Sequence, residues 1–119
     1  MLFYPCVDLT NETEQLYSSK AIAGHGRDLS PLYHLRAGLP PIMIFQGSDD
    51  PLLAENRRYC DGARALGNVC DWSEYPGAKH GFFVKGAPPA AGWYDKGLAA
   101  MDTALVRRGY LPPTLPADQ

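Results

Sequence analysis

The apolar positions of this chain fall into two kinds of pattern, and each predicts a different element. Ile42-Met43-Ile44-Phe45 is an unbroken apolar run that ends at Gln46-Gly47. A short run without alternation fits a strand buried on both faces, as in a parallel sheet. Val69 to Tyr75 alternates instead, with Val69, Asp71, Ser73 and Tyr75 set against Cys70, Trp72 and Glu74. That period predicts a less buried strand near a sheet edge. Between them, Leu53 to Leu66 carries Tyr59, Cys60, Ala63 and Leu66 on one helical stripe, and Gly67 stands ready to close the helix. Trp93 to Arg108 repeats the helical pattern through Tyr94, Leu98, Met101 and Leu105, a face expected to lie on a sheet, and Gly109 follows.

The ends of the chain are less regular. Leu2 to Val7 is apolar and strand-like, but Pro5 confines it to an edge or a strand end. A core-type strand at the first residue leads to the expectation of further sequence upstream. Thr10 to Pro31 reads as a loop with a short helix around Glu12–Ser19, and Ser30-Pro31 as the cap and first position of a helical turn. Ala87 to Ala91 is a Pro/Ala loop, and residues 112–119 form a tail expected to fray.

Strand, loop, strand, helix, strand, helix is the order of an α/β domain with parallel strands and crossover helices. With 119 residues there is room for one domain of about three strands. One edge of so thin a sheet, at Leu2–Val7 or beside Ile42–Phe45, is expected to be open and apolar.

Composition narrows the function. A formal net charge of -2 gives no support for nucleic-acid binding. No apolar run approaches the roughly 18 residues of a membrane span. The N-terminus has no signal-peptide pattern, which leaves a cytoplasmic location as the default. Cys6, Cys60 and Cys70 form no C-x-x-C pair, so all three are expected to be buried thiols, with no metal site and no cofactor.

The candidate chemistry sits in two turns. Gln46-Gly47-Ser48-Asp49-Asp50-Pro51 follows the first strand, and Pro76-Gly77-Ala78-Lys79-His80-Gly81-Phe82-Phe83 follows the second. Functional groups of open α/β sheets gather at the carboxyl ends of the strands, and an acid with a histidine is two thirds of a Ser-His-Asp machine. Read locally, an Asp there can equally cap the Leu53 helix, and His80 can be an ordinary turn residue. His25 and His34 read as loop residues. Phe82, Phe83, Trp72 and Trp93 read first as core, although Phe82 and Phe83 adjoin His80 and are candidates for a substrate pocket.

Taken in order, these pieces resemble the C-terminal part of an α/β-hydrolase, in the esterase/lipase group that includes acetyl esterases and xylan- or feruloyl-type esterases. The resemblance is carried by Leu2-Phe3-Tyr4-Pro5 with Val7-Asp8, Ser30-Pro31, Leu39-Pro40-Pro41, Gly47-Ser48-Asp49-Asp50-Pro51, Ala65-Leu66-Gly67, Tyr75-Pro76-Gly77-Ala78-Lys79-His80-Gly81-Phe82-Phe83 and Arg108-Gly109-Tyr110-Leu111. It implies a partial α/β-hydrolase fold of the three-layer α/β/α type, incomplete here, with residues 1–119 as one domain. By the Gly-x-x-Asp pattern it implies Asp50 as the triad acid, with Asp49 turned outward or capping the helix. His80 is the implied general base, and an acyl ester, such as an acetylated carbohydrate, the implied substrate.

The family's nucleophile lies in G-x-S-x-G. None of Ser18, Ser19, Ser30, Ser48 and Ser73 lies in that pattern, and the His-Gly-Gly oxyanion motif is missing too. Gly24-His25-Gly26-Arg27 falls in the wrong place in family order. The expected protein is therefore the acid/histidine half of a serine ester hydrolase, inactive alone. An upstream segment or a second copy of the chain would cover the open sheet edge. A non-catalytic α/β association module and the end of a prolyl-oligopeptidase-like peptidase are the alternatives.

Overall fold

The computed structural model describes residues 1–10, 24–86 and 92–113. The expected helix around Glu12–Ser19, the Ala87–Ala91 loop and most of the expected tail lie outside the described residues. The chain divides into two compact units, Met1–Gly81 and Phe82–Gln119.

The first unit holds β1 (Leu2–Phe3), α1 (Gly26–Leu29), a 3-10 turn (Pro31–His34), β2 (Ile42–Gly47), α2 (Leu53–Ala65) and β3 (Cys70–Tyr75). The strands form one sheet in the order β1-β2-β3, and both pairings are parallel. Leu2 and Trp72 flank Ile44, while Phe3 and Ser73 flank Phe45. β2 is thus the centre of the sheet, paired on both sides, and its Ile44 and Phe45 are fully buried. The expectation that an edge beside Ile42–Phe45 lies open is corrected: the edges are β1 and β3. β1 is also shorter than Leu2–Val7. The Tyr4 amide makes the last rung, to the Phe45 carbonyl, and its backbone then turns out of the strand at φ +35°, so Val7 joins the core from a loop.

The two faces of β2 are filled differently. On one, Ile44 packs with Val7, Tyr59, Cys60, Ala63 and Cys70, so α2 covers that face. On the other, Phe45 stacks on Phe3 at 4.7 Å and on Tyr75 at 6.4 Å. The α2 stripe ends earlier than its periodicity implies, because Leu66 is the C-cap and lies 44% exposed. Gly67, at φ +81°, closes the helix by donating to the Arg64 carbonyl. Buried Asn68 then accepts from the Leu39 amide and donates to the Arg36 carbonyl, tying the helix end to the approach of β2.

The expectation of three buried thiols is corrected. Cys60 on α2 and Cys70 on β3 form a disulfide, and Cys6 is exposed outside it. Ten residues of sequence separate the bonded pair, a spacing with no motif, which is why it could not be read from the pattern.

The second unit carries α3 (Trp93–Arg107). Its buried positions are Gly97 and Ala104, and Leu98 is exposed, so the inward face runs beside the expected Tyr94–Leu98 line. Phe83 explains the shift. A Cβ at Gly97 would lie 2.4 Å from the Phe83 ring, so a bare backbone lets that ring sit on the helix. No helix among the described residues is long and apolar enough to cross a membrane.

Candidate active site

Parallel pairing places the carboxyl ends of β2 and β3 side by side, Gly47 opposite Tyr75. The two turns that leave these ends are bonded to each other before they diverge. The Ser48 amide donates to the Tyr75 carbonyl at 3.1 Å, and the Asp49 amide to the Ala78 carbonyl at 3.0 Å. The Gly77 amide donates to Ser48 Oγ at 2.8 Å. Gly47 permits this approach, since a Cβ there would lie 2.1 Å from the Ala78 carbonyl oxygen. Gly77 and Gly81, at φ +76° and +80°, bracket the His80 turn in a region other residues rarely enter.

Asp50 enters the site from the first turn. Its side chain is fully buried, and Oδ1 accepts the Leu52 amide at 2.8 Å. This local Asx bond fixes the carboxylate while opening α2. The second oxygen, Oδ2, lies 3.0 Å from His80 Nδ1. A carboxylate can only accept, so Nδ1 carries the proton and Nε2 is the nitrogen left for proton exchange. The His80 side chain is 32% exposed, which leaves the imidazole reachable from solvent. Asp49 is exposed and accepts from Ser48 Oγ at 3.0 Å. Of its two expected roles it takes the outward one; the Asp50 bond reaches the amide of Leu52, the N-cap residue, and no side chain caps α2 itself.

Further residues support the pair. Gln46 and Asn56 are fully buried, and Asn56 Nδ2 donates to Gln46 Oε1 at 2.7 Å. That bond ties the end of β2 to the first turns of α2, on either side of the Asp50 loop. The Tyr4 ring meets the His80 imidazole edge-on, with centroids 4.9 Å apart. Gln46, Ser48 and Tyr4 lie in stretches that the sequence singles out, but their contacts with Asn56, Gly77 and His80 are distant along the chain and no local pattern signals them.

Phe82 and Phe83 belong to the second unit. Phe82 packs edge-on against Trp93 at 6.1 Å, and Phe83 lies 4.9 Å from Tyr94. His25 and His34 are exposed and far along the chain from the pair: His25 stands 3.8 Å from Asp28, and His34 Nε2 lies 2.7 Å from the Asp28 carbonyl. A surface cleft of about 330 Å³ between α2 and β3 is lined by Arg57, Cys60, Asp61, Arg64, Trp72 and Glu74, and so includes neither Asp50 nor His80. Among the described residues, no three His, Cys, Asp or Glu side chains cluster closely enough to hold a metal ion.

A family model described as alpha/beta hydrolase fold matches residues 1–84. Solved structures of Thermogutta terrifontis esterase 2 are similar over nearly the whole chain. The form phosphorylated by paraoxon is 33% identical with a TM-score of 0.76, and it covers 95% of this chain. The propionate-bound form is 31% identical with a TM-score of 0.79 over 96%, and the butyrate-bound form 29% identical with 0.78 over 96%. The chain spans only 41%, 44% and 45% of those three chains. No curated protein matches it significantly.

Proposed function

Because the chain belongs to the alpha/beta-hydrolase fold family, with three parallel strands forming part of that fold, we propose that it is the acid/histidine half of a serine carboxylic-ester hydrolase. One observation carries the reading: Asp50 and His80 meet at 3.0 Å beyond the carboxyl ends of adjacent parallel strands. In this reading His80 Nε2 takes the proton of a serine hydroxyl as that oxygen attacks the ester carbonyl. It then returns the proton to the departing alkoxide. Asp50 holds the tautomer and stabilises the imidazolium, remaining ionised throughout.

The serine and the oxyanion donors come from outside these residues. No serine here stands in G-x-S-x-G, the strand-to-helix turn that exposes such a nucleophile. Losing the serine of a triad costs roughly a million-fold in rate, or about 8 kcal/mol. The chain by itself is therefore inactive. The outer edge of β1, paired on one side only among the described residues, takes the segment that supplies those groups. The substrate is a short acyl ester. Similarity to an esterase solved with propionate and with butyrate supports that size, and the motif resemblance points to acetyl esters, including acetylated carbohydrate. The Cys60–Cys70 bond favours an oxidising compartment over the cytoplasm.

The test is hydrolysis of a short-chain nitrophenyl ester by the purified chain. No turnover is expected. Turnover abolished by His80→Ala would show that a nucleophile is present after all. Turnover that survives both Asp50→Asn and His80→Ala would remove the triad assignment itself.

A further inference from the structure

Tyr4 stands at the end of β1 with its backbone at φ +35°, the only non-glycine residue described with a positive φ. Bulky side chains avoid that region because Cβ crowds the neighbouring carbonyl. Such strain persists only where surrounding structure over-determines it, and it gathers at functional sites. Its amide and its ring are both engaged there. Its amide donates to the Phe45 carbonyl at 2.8 Å, one rung beyond the β1 ladder. Its ring lies on the His80 imidazole, with centroids 4.9 Å apart and planes inclined at 63°.

The apolar cluster under α2 includes Leu2 and Val7, on either side of Tyr4 in sequence, but not Tyr4. The ring is half-buried, and it meets the histidine.

His80 needs such a neighbour. The Asp50 carboxylate meets His80 at Nδ1, and a hydrogen bond at one ring nitrogen fixes a direction more firmly than it fixes the plane of the imidazole. With 32% of the side chain exposed, the imidazole is not fixed by burial alone. An aromatic ring against the imidazole restricts rotation of that plane.

We propose that Tyr4 is a positioning residue, whose ring holds the His80 imidazole in the orientation that keeps Nδ1 on Asp50 and leaves Nε2 for proton transfer. The assignment rests on the Asp50–His80 reading above. It adds that β1 places a ring, in strained backbone, against the histidine carried by the turn after β3.

The experiment uses the full 119-residue chain with ¹⁵N-labelled histidine. NMR reports which nitrogen of neutral His80 carries the proton, in the parent and in Tyr4→Phe, Tyr4→Ala, Tyr4→Gly and Asp50→Asn. The parent and Tyr4→Phe are expected to show the Nδ1–H form, since both keep the ring. Tyr4→Ala and Tyr4→Gly are expected to lose it. Tyr4→Gly relieves the positive φ, so its backbone is favoured while the ring is gone, and it reports even if Tyr4→Ala fails to fold. An unchanged tautomer in Tyr4→Gly, alongside a changed one in Asp50→Asn, overturns the role of Tyr4 and leaves the pair standing. Loss in Tyr4→Phe also overturns it, because the hydroxyl and not the ring would then matter. An unchanged tautomer in Asp50→Asn overturns the Asp50–His80 reading, and this proposal with it.

Discussion

Replacing Gly47 by alanine puts one methyl group where the Ala78 peptide now lies. The new Cβ would sit 2.1 Å from the Ala78 oxygen and 2.7 Å from its carbonyl carbon, where real Cβ atoms essentially never come closer than 3.0 Å. The turn must therefore retreat by at least about 0.9 Å, and the atoms in the way are backbone, with no flexible side chain to yield. The same oxygen accepts the Asp49 amide, and His80 follows Ala78 by two residues on the same turn. A retreat of that size stretches the 3.0 Å Asp50–His80 contact past hydrogen-bonding range. Overpacking of this kind costs about 1–3 kcal/mol. A lost hydrogen bond to a charged group adds a further ~1.5–3 kcal/mol. Urea denaturation should show a lower midpoint at unchanged slope, a change in stability without a change in compactness. ¹⁵N NMR of His80 should show loss of the Nδ1–H form. A Gly47→Ala chain with the parent's midpoint and the parent's tautomer would refute the close approach of the two turns.

Three other changes probe different parts of the fold. Reduction of the Cys60–Cys70 bond, or Cys60→Ser with Cys70→Ser, should cost about 2–3 kcal/mol by the loop-closure argument for ten residues of separation; equal denaturation midpoints with and without reductant would contradict it. Asn68→Ala should cost about 1–3 kcal/mol, because it leaves the Leu39 amide and Arg36 carbonyl without their side-chain partner; urea denaturation reads it. Burial raises the Tyr59 hydroxyl pKa above its ordinary 10.0. The folded chain then keeps that proton where the unfolded chain sheds it, so stability is intact below pH 10 and falls as pH rises through the folded value. Tyr59→Phe should flatten that alkaline decline, and a decline of the same steepness in the variant would show that Tyr59 is not its source.

What could be read from sequence was whatever short-range pattern controls. Ile42–Phe45 announces a strand buried on both faces, because no polar side chain interrupts it, and the Asp50 and His80 turns are marked by Gly and Pro at their ends. What could not be read depends on contacts between distant residues. Cys60 and Cys70 meet because α2 and β3 pack together, and no local spacing signals that bond. Gly47 looks like a turn glycine, yet its importance comes from Ala78, thirty-one residues later. Leu98 fits the helical period of α3 but is exposed, because Gly97 beside it is the position on which Phe83 rests. Choosing Asp50 over Asp49 rested on the resemblance. In the structure one carboxylate is buried and bonded to both Leu52 and His80, while the other faces solvent.

A chimera with a complete esterase tests the proposed roles of Asp50 and His80 directly. In a chimera, the matched portion of Thermogutta terrifontis esterase 2 would be replaced by this chain, leaving that esterase to provide the remaining segment. The chimera is expected to hydrolyse a nitrophenyl butyrate. His80→Ala should lower its kcat roughly 10⁴-fold or more, and Asp50→Asn roughly 10⁴-fold. A folded chimera without turnover, or one whose turnover ignores both substitutions, would contradict those roles.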